Sequence, residues 1–313
     1  MTFYLKKACL LAGFSLLLVL SGCQSTPQAD QLRQQGLSQL PESHSISSVP
    51  FFPQEQFYCG PTTLSEVFGY YGVNASPEDI APKLFIPGKE GSLQLEMVSA
   101  ARQYGFLPYT ERGTLSSIIE LVKDDVPVIV FQNLSIQLLP QWHYAVVIGF
   151  NSEKGTLTLH TGLTPNHEMS LELFERTWGR ANYWYLAAVP PKVTSSEMTP
   201  YTYVSAAYDM LKVADKNQAL AFLETATQMW PSYWLSYFLI ANYYLENPDL
   251  KRSSGLAVRW FEKGLEAGKN QQAYVHNYVV ALRKNNMGTK ANFVLKQGIE
   301  TFPNSEALLA LVE

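Results

Sequence analysis

The stretch Gln54-Glu55-Gln56-Phe57-Tyr58-Cys59-Gly60-Pro61-Thr62-Thr63 places a cysteine where an irregular segment turns into a helix. Beyond it, Leu64, Val67, Phe68 and Tyr71 recur at i, i+3, i+4 and i+7, the period of one helix face. Pro61 suits a first turn and Gly72 a C-terminal cap, so a helix over 60–72 is predicted. At a helix start, backbone N–H groups and the positive end of the dipole favour thiolate over thiol. A depressed pKa and a nucleophilic role are therefore expected of Cys59. A glutamine a few residues upstream would add a side-chain NH₂ to the Cys59 N–H as an oxyanion hole.

Working outward, residues 92–104 and 114–123 read as two further helices, the second capped by Thr114. Strand signals follow. Val126 to Phe131 is a short apolar run, and His143 to Phe150 is rich in β-formers. The polar stretch 151–155 makes a turn before Thr156 to Leu159, so 143–161 reads as a hairpin centred near residue 153. With that centre, positions 161 and 163 lie across from His143 on one strand face, where Thr161 can reach its ring. Tyr183 to Val189 is another strand, ended by Pro190-Pro191. Helices first and an antiparallel sheet afterwards define an α+β domain over 48–191.

Two features occur together here: a Gln followed by Cys-Gly-Pro at a helix start, and much later a His opening an apolar strand, Trp142-His143-Tyr144-Ala145-Val146-Val147-Ile148-Gly149. The pair resembles the papain-like cysteine peptidases that cut bacteriocin leaders after double glycine, and their stand-alone relatives. The resemblance covers residues 48–190. It implies a papain-like fold and amide-bond hydrolysis through Cys59 and His143, and no cofactor. Gln54 matches the oxyanion position, with Gln56 as a rival. The sequence departs from the family at the residue that orients the histidine. Relatives carry an Asp or Asn on the next strand, whereas Leu157-Thr158-Leu159-His160-Thr161-Gly162 puts Thr161 there. Thr161, or a later residue such as Asn166, would have to serve. His44, His160, His167 and His276 are read as structural or exposed rather than catalytic, and no His/Cys/Asp set has metal-ligand spacing.

The N-terminus carries an export pattern. Lys6 and Lys7 precede the apolar run 8–20, which is short for a bilayer span, and the run ends in Leu20-Ser21-Gly22-Cys23. That tetrapeptide resembles the lipobox of bacterial lipoproteins, which implies removal of residues 1–22 and acylation of Cys23. Gln24, in place of Asp, favours the outer membrane, facing the periplasm. Of three cysteines, Cys9 leaves with the signal and Cys23 carries lipid, so Cys59 has no disulfide partner. Residues 23–47, rich in Gln, Ser and Pro, are expected to be a flexible tether.

After a linker over 192–200, residues 201–313 carry helical patterns with an internal repeat. Ala219, Leu223, Ala226 and Pro231 share their spacings with Ala291, Leu295, Gly298 and Pro303; Ala257, Phe261 and Gly264 are an incomplete copy. This resembles the second helix of tetratricopeptide repeats, with an insertion near 247–254. Such repeats would bind a protein partner or substrate.

Of 313 residues, 47% are hydrophobic, enough for a sizeable core, and the net charge of −4 with no Lys/Arg cluster argues against nucleic acid. Outside the signal, no apolar run of about 20 residues offers a membrane span. The leading expectation is an envelope lipoprotein cysteine peptidase acting on peptides. The alternatives are a non-catalytic binding scaffold on a degenerate peptidase fold, and an acyl or peptidyl transferase.

Overall fold

The computed structural model describes residues 25–86, 88, 91–213, 215–247 and 253–312, with the side chain of residue 254 left aside. The signal sequence and Cys23 lie outside the described residues.

The elements are α1 (Pro27–Gln35), β1 (His44–Ser45), α2 (Cys59–Tyr70), α3 (Pro77–Leu84), α4 (Gln94–Gln103), β2 (Leu107–Arg112), α5 (Leu115–Lys123), β3 (Val128–Asn133), β4 (Trp142–Asn151), β5 (Thr156–Thr161), β6 (Thr164–Ser170), α6 (Leu171–Gly179) and β7 (Trp184–Val189). The strands form one antiparallel sheet in the order β2-β7-β3-β4-β5-β6, and β1 adds a short pairing to β4. This is an α+β unit, followed by an all-helical region.

Local chemistry explains the helix that starts at Cys59. It ends in a pair of backbone bonds, Val73 N–H to Phe68 O and Gly72 N–H to Gly69 O. That geometry needs a residue at positive φ, and Gly72 supplies it at +81°. The Thr114 cap is reciprocal: its hydroxyl accepts from Ser117 N–H, and the Ser117 hydroxyl accepts from Thr114 N–H. The β4–β5 register pairs Val146 with His160 and Val147 with Leu159, which matches a turn centred near 153. Four further elements were not anticipated. α3 carries an internal proline, Pro82, and β6 (Thr164-Pro165-Asn166-His167-Glu168-Met169-Ser170) is polar and half exposed at an edge. β2 and α6 also went unread.

The expected tether is a correction. Residues 27–45 fold back on the domain: α1 runs antiparallel to α6, with Arg33 paired to Glu172. The backbone N–H groups of Gln28 and Ala29 donate to the Glu175 carboxylate at 3.0 and 2.7 Å. Glu175 is buried, and it is satisfied by the free N–H groups that any helix leaves at its first turn. Composition alone hid this, because the partner acid is some 150 residues away in sequence.

The expected linker over 192–200 is also packed. Ser195 and Ser196 both bond Asp124, at 2.6 Å for the Ser195 hydroxyl, and Met198 is buried. Helices α7 (Pro200–Val213) and α8 (Lys216–Met229) follow, then α9 (Trp234–Glu246), α10 (Ser253–Lys263), α11 (Leu265–Gly268), α12 (Gln272–Lys284), α13 (Gly288–Thr301) and α14 (Glu306–Leu309). α7 packs on β2, so that Tyr203, Met210 and Phe222 share a continuous core with the sheet. A second core lies among α9, α10, α12 and α13. The helices associate as the pairs α7–α8, α9–α10 and α12–α13. Each copy of the repeated motif falls on the second helix of a pair, with Ala219, Leu223, Ala226, Ala257, Phe261 and Ala291 all fully buried. The region expected to hold an insertion separates α9 from α10, and residues 248–252 within it lie outside the described residues.

Candidate active site

Cys59, the first residue of α2, and His143, the second of β4, line one cleft of about 850 Å³ together with Gln54, Gln56, Phe57, Ser92, Trp142 and Gly162. The sheet does this by pairing: Cys59 enters the helix packed on β4, and His143 stands where that strand begins.

The His143 Nε2 lies 2.8 Å from Thr161 Oγ1. Thr161 ends β5, one diagonal step from the position opposite His143, as the hairpin reading required. With Nε2–H donated to the hydroxyl, Nδ1 keeps its lone pair. The backbone N–H of Asn166, the other candidate, donates to His160 Nδ1 at 3.3 Å. His160 is buried, and its Nε2 reaches the Val49 carbonyl at 3.2 Å, a structural arrangement.

Gln54 is half-buried, held by its backbone N–H on Gly162 O at 3.0 Å and by its Nε2 on Tyr144 O at 3.4 Å. Its Oε1 is buried without a partner among the described residues. Gln56, the rival, is exposed at the same cleft. Between them and the cysteine, Phe57 adopts φ +68°, a conformation costly for an aromatic residue. It re-aims the chain just ahead of the helix.

Gly60 has a steric reason. A Cβ there would lie 2.4 Å from the Ser92 hydroxyl and 2.7 Å from its Cβ. Only glycine lets the 91–93 loop close against the helix start. Tyr144 fixes that loop from the other side, donating its hydroxyl to Ser92 O at 3.2 Å.

The electrostatics correct one expectation. Burial pushes the Cys59 thiol up, not down; the backbone groups of Tyr144, Gly60 and Cys59 itself only partly oppose this. Burial also pushes His143 down to about 4. Helix-start stabilisation is present, but desolvation of the buried thiol outweighs it. At neutral pH the pair is therefore thiol and neutral imidazole. A third titratable group, Glu66, was missed by sequence reasoning. It lies two turns along α2, fully buried, and accepts from Phe52 N–H at 3.0 Å. Burial pushes it up to about 8. A lone acid within an apolar helix face was the available signal. Among the described residues, no group of three or more His, Cys, Asp or Glu is placed to hold a metal ion.

Residues 46–185 match the model of the Peptidase_C39 like family. Two solved structures are similar. One is a C39-like peptidase from Bacillus anthracis, 16% identical with a TM-score of 0.41, over 48% of this chain and 98% of that one. The other is the peptidase domain of Streptococcus ComA, a bi-functional ABC transporter involved in a quorum-sensing pathway, 25% identical with a TM-score of 0.37, over 45% of this chain and 98% of that one. No curated protein matches. The family match spans somewhat under half of the 313 residues and stops before α7. Residues 46–185 are thus a Peptidase C39-like family domain, joined to an all-helical C-terminal region.

Proposed function

We propose that this chain is an envelope lipoprotein cysteine peptidase, acylated at Cys23 and facing the periplasm from the outer membrane. The observation that carries the catalytic part is the cleft shared by Cys59 and His143, with the His143 ring fixed by Thr161. In this reading His143 Nδ1 takes the thiol proton as Cys59 Sγ bonds to the scissile carbonyl carbon. The oxyanion accepts from Cys59 N–H and from the Gln54 amide. The C–N bond then breaks as the imidazolium returns the proton to the leaving amine. Water, deprotonated by the same imidazole, releases the acid from the thioester and restores the thiol.

Burial in the resting cleft makes this a general-base mechanism rather than one run from a preformed ion pair. Thr161 orients the ring without supplying charge, so the imidazolium is stabilised less than beside a carboxylate. The paired helices, with small residues between them, support a tetratricopeptide-like region that recruits a partner or the substrate.

One observation favours a binding scaffold instead: among the described residues, the partner of the His143 ring is the Thr161 hydroxyl and not a carboxylate. A peptide-release assay on membranes, with wild type against Cys59→Ala and His143→Ala, separates the two. The peptidase reading expects both variants to be inactive, with losses far from additive. Undiminished hydrolysis by Cys59→Ala would sink it.

A further inference from the structure

The cleft and the N-terminal end of the folded chain lie at the same end of the sheet. β3 finishes at Asn133 opposite Trp142, where β4 begins; β5 finishes at Thr161; β2 finishes at Arg112 opposite Trp184, where β7 begins. α1 reaches this end with its first turn. Its Arg33 meets Glu172 at the start of α6, while Gln28 and Ala29 meet Glu175 further along. The Gln28 side chain accepts from Leu115 N–H, just past Arg112, at 2.7 Å. Thr26, at the head of α1, is buried.

Only Gln24 and Ser25 separate Cys23 from Thr26. Three residue steps span about 10 Å at most. A lipid on Cys23 would therefore lie within about 10 Å of the cleft end.

Several large apolar side chains are exposed at that end. Leu138 is 84% exposed, Leu163 75%, Leu139 70% and Ile136 55%. No residue from 134 to 142 is charged, and half-exposed Trp142 stands at the loop's foot. The loop is not slack. Leu134 N–H bonds Gln141 O at 2.9 Å, and Arg180 donates to Ser135 O at 2.6 Å. Its leucines are held outward, an arrangement that in water only a covering partner repays. Loop leucines with a tryptophan at their base suit the hydrocarbon–headgroup boundary.

We propose that the cleft end of the domain seats on the lipid surface, with Ile136, Leu138, Leu139 and Leu163 entering the interface. The cleft then opens onto the membrane and takes peptide chains lying on or emerging from it. This rests on the lipid-anchor reading.

The test uses the lipidated protein in vesicles of phosphatidylethanolamine and phosphatidylglycerol, part of it brominated. In a Cys59→Ser background, a bimane label is placed through Leu138→Cys or, at the opposite end of the sheet, Glu153→Cys. Bromine quenching and a blue shift are expected at position 138 and not at 153. A protein that fails to float with the vesicles removes the anchor, and with it the seating. A protein that floats while both labels respond alike keeps the anchor and overturns the seating. The double variant Leu138→Asp/Leu139→Asp should lose cleavage of a vesicle-tethered peptide severalfold and keep that of the same peptide free in solution. Equal loss on both would make the loop a peptide subsite and overturn lipid contact.

Discussion

Cys59 and His143 show how position and environment oppose each other at a single residue. A helix start favours thiolate; burial favours thiol, and burial wins. Labelling of Cys59 by iodoacetamide should therefore climb with pH through and beyond the ordinary thiol range. A plateau from about pH 4 to 8 would instead reveal an ion pair. His143→Ala should slow labelling at neutral pH, and an unchanged rate would remove its role as base. Thr161→Val keeps shape but deletes the acceptor on Nε2. Its kcat should fall about tenfold with little change in KM, since only the imidazolium-bearing transition state loses support.

Glu66 gives a stability prediction with a definite sign. Its folded pKa of about 8 lies above its unfolded value, so the folded state binds the extra proton between them. The stability it contributes is complete below about pH 4.5 and disappears as pH rises through 8. Glu66→Gln keeps the acceptor for Phe52 N–H without a charge. Thermal melts should then fall less between pH 6 and 9 than in wild type; parallel curves would place the titration elsewhere.

Among the elements, the helical pairs turn on close approach. A Cβ on Gly264 would lie 2.4 Å from Tyr237 Cγ and 2.6 Å from the Tyr274 hydroxyl, in the facing helices α9 and α12. Gly255 in α10 has nothing within 4 Å. Gly264→Ala should cost about 1–3 kcal/mol by overpacking. Gly255→Ala should stabilise by about 0.5–1 kcal/mol through helix propensity. Denaturant melts of the full chain measure both, and equal effects would show that the small residue at 264 is not a packing requirement.

For the whole molecule, the sheet and the helical region share a core. Arg102 pairs with Asp209 at 3.1 Å, and Gln218 donates to Gly105 O at 2.7 Å. Tyr203, Met210 and Phe222 are fully buried. A chain ending after residue 191 would bare the face of β2 that α7 covers. It should melt well below the full protein and bind a hydrophobic dye; an unchanged melting temperature would mean two independent domains.

Much of this architecture was legible because its signals are local. Cys-Gly-Pro, the 3.6-residue stripe after it and Gly72 gave the helix. A run of β-formers and a polar turn gave the hairpin, and counting from its centre gave Thr161 beside His143. Spacing of small residues gave the second helix of each pair. α3, β2 and β6 escaped because proline, polar edges and half-exposed faces blur the period, whereas α6 carried a legible Ser170 cap and a Leu171, Phe174, Trp178 stripe that went unread. What only the tertiary structure decided depends on groups distant in sequence. Glu175 turned a polar tail into a packed helix, and Asp124 pinned an apparent linker. Ser92 made Gly60 obligatory. The pKa values were set by how much protein surrounds each group, a property of the assembled fold, so a helix start that promised a thiolate holds a thiol.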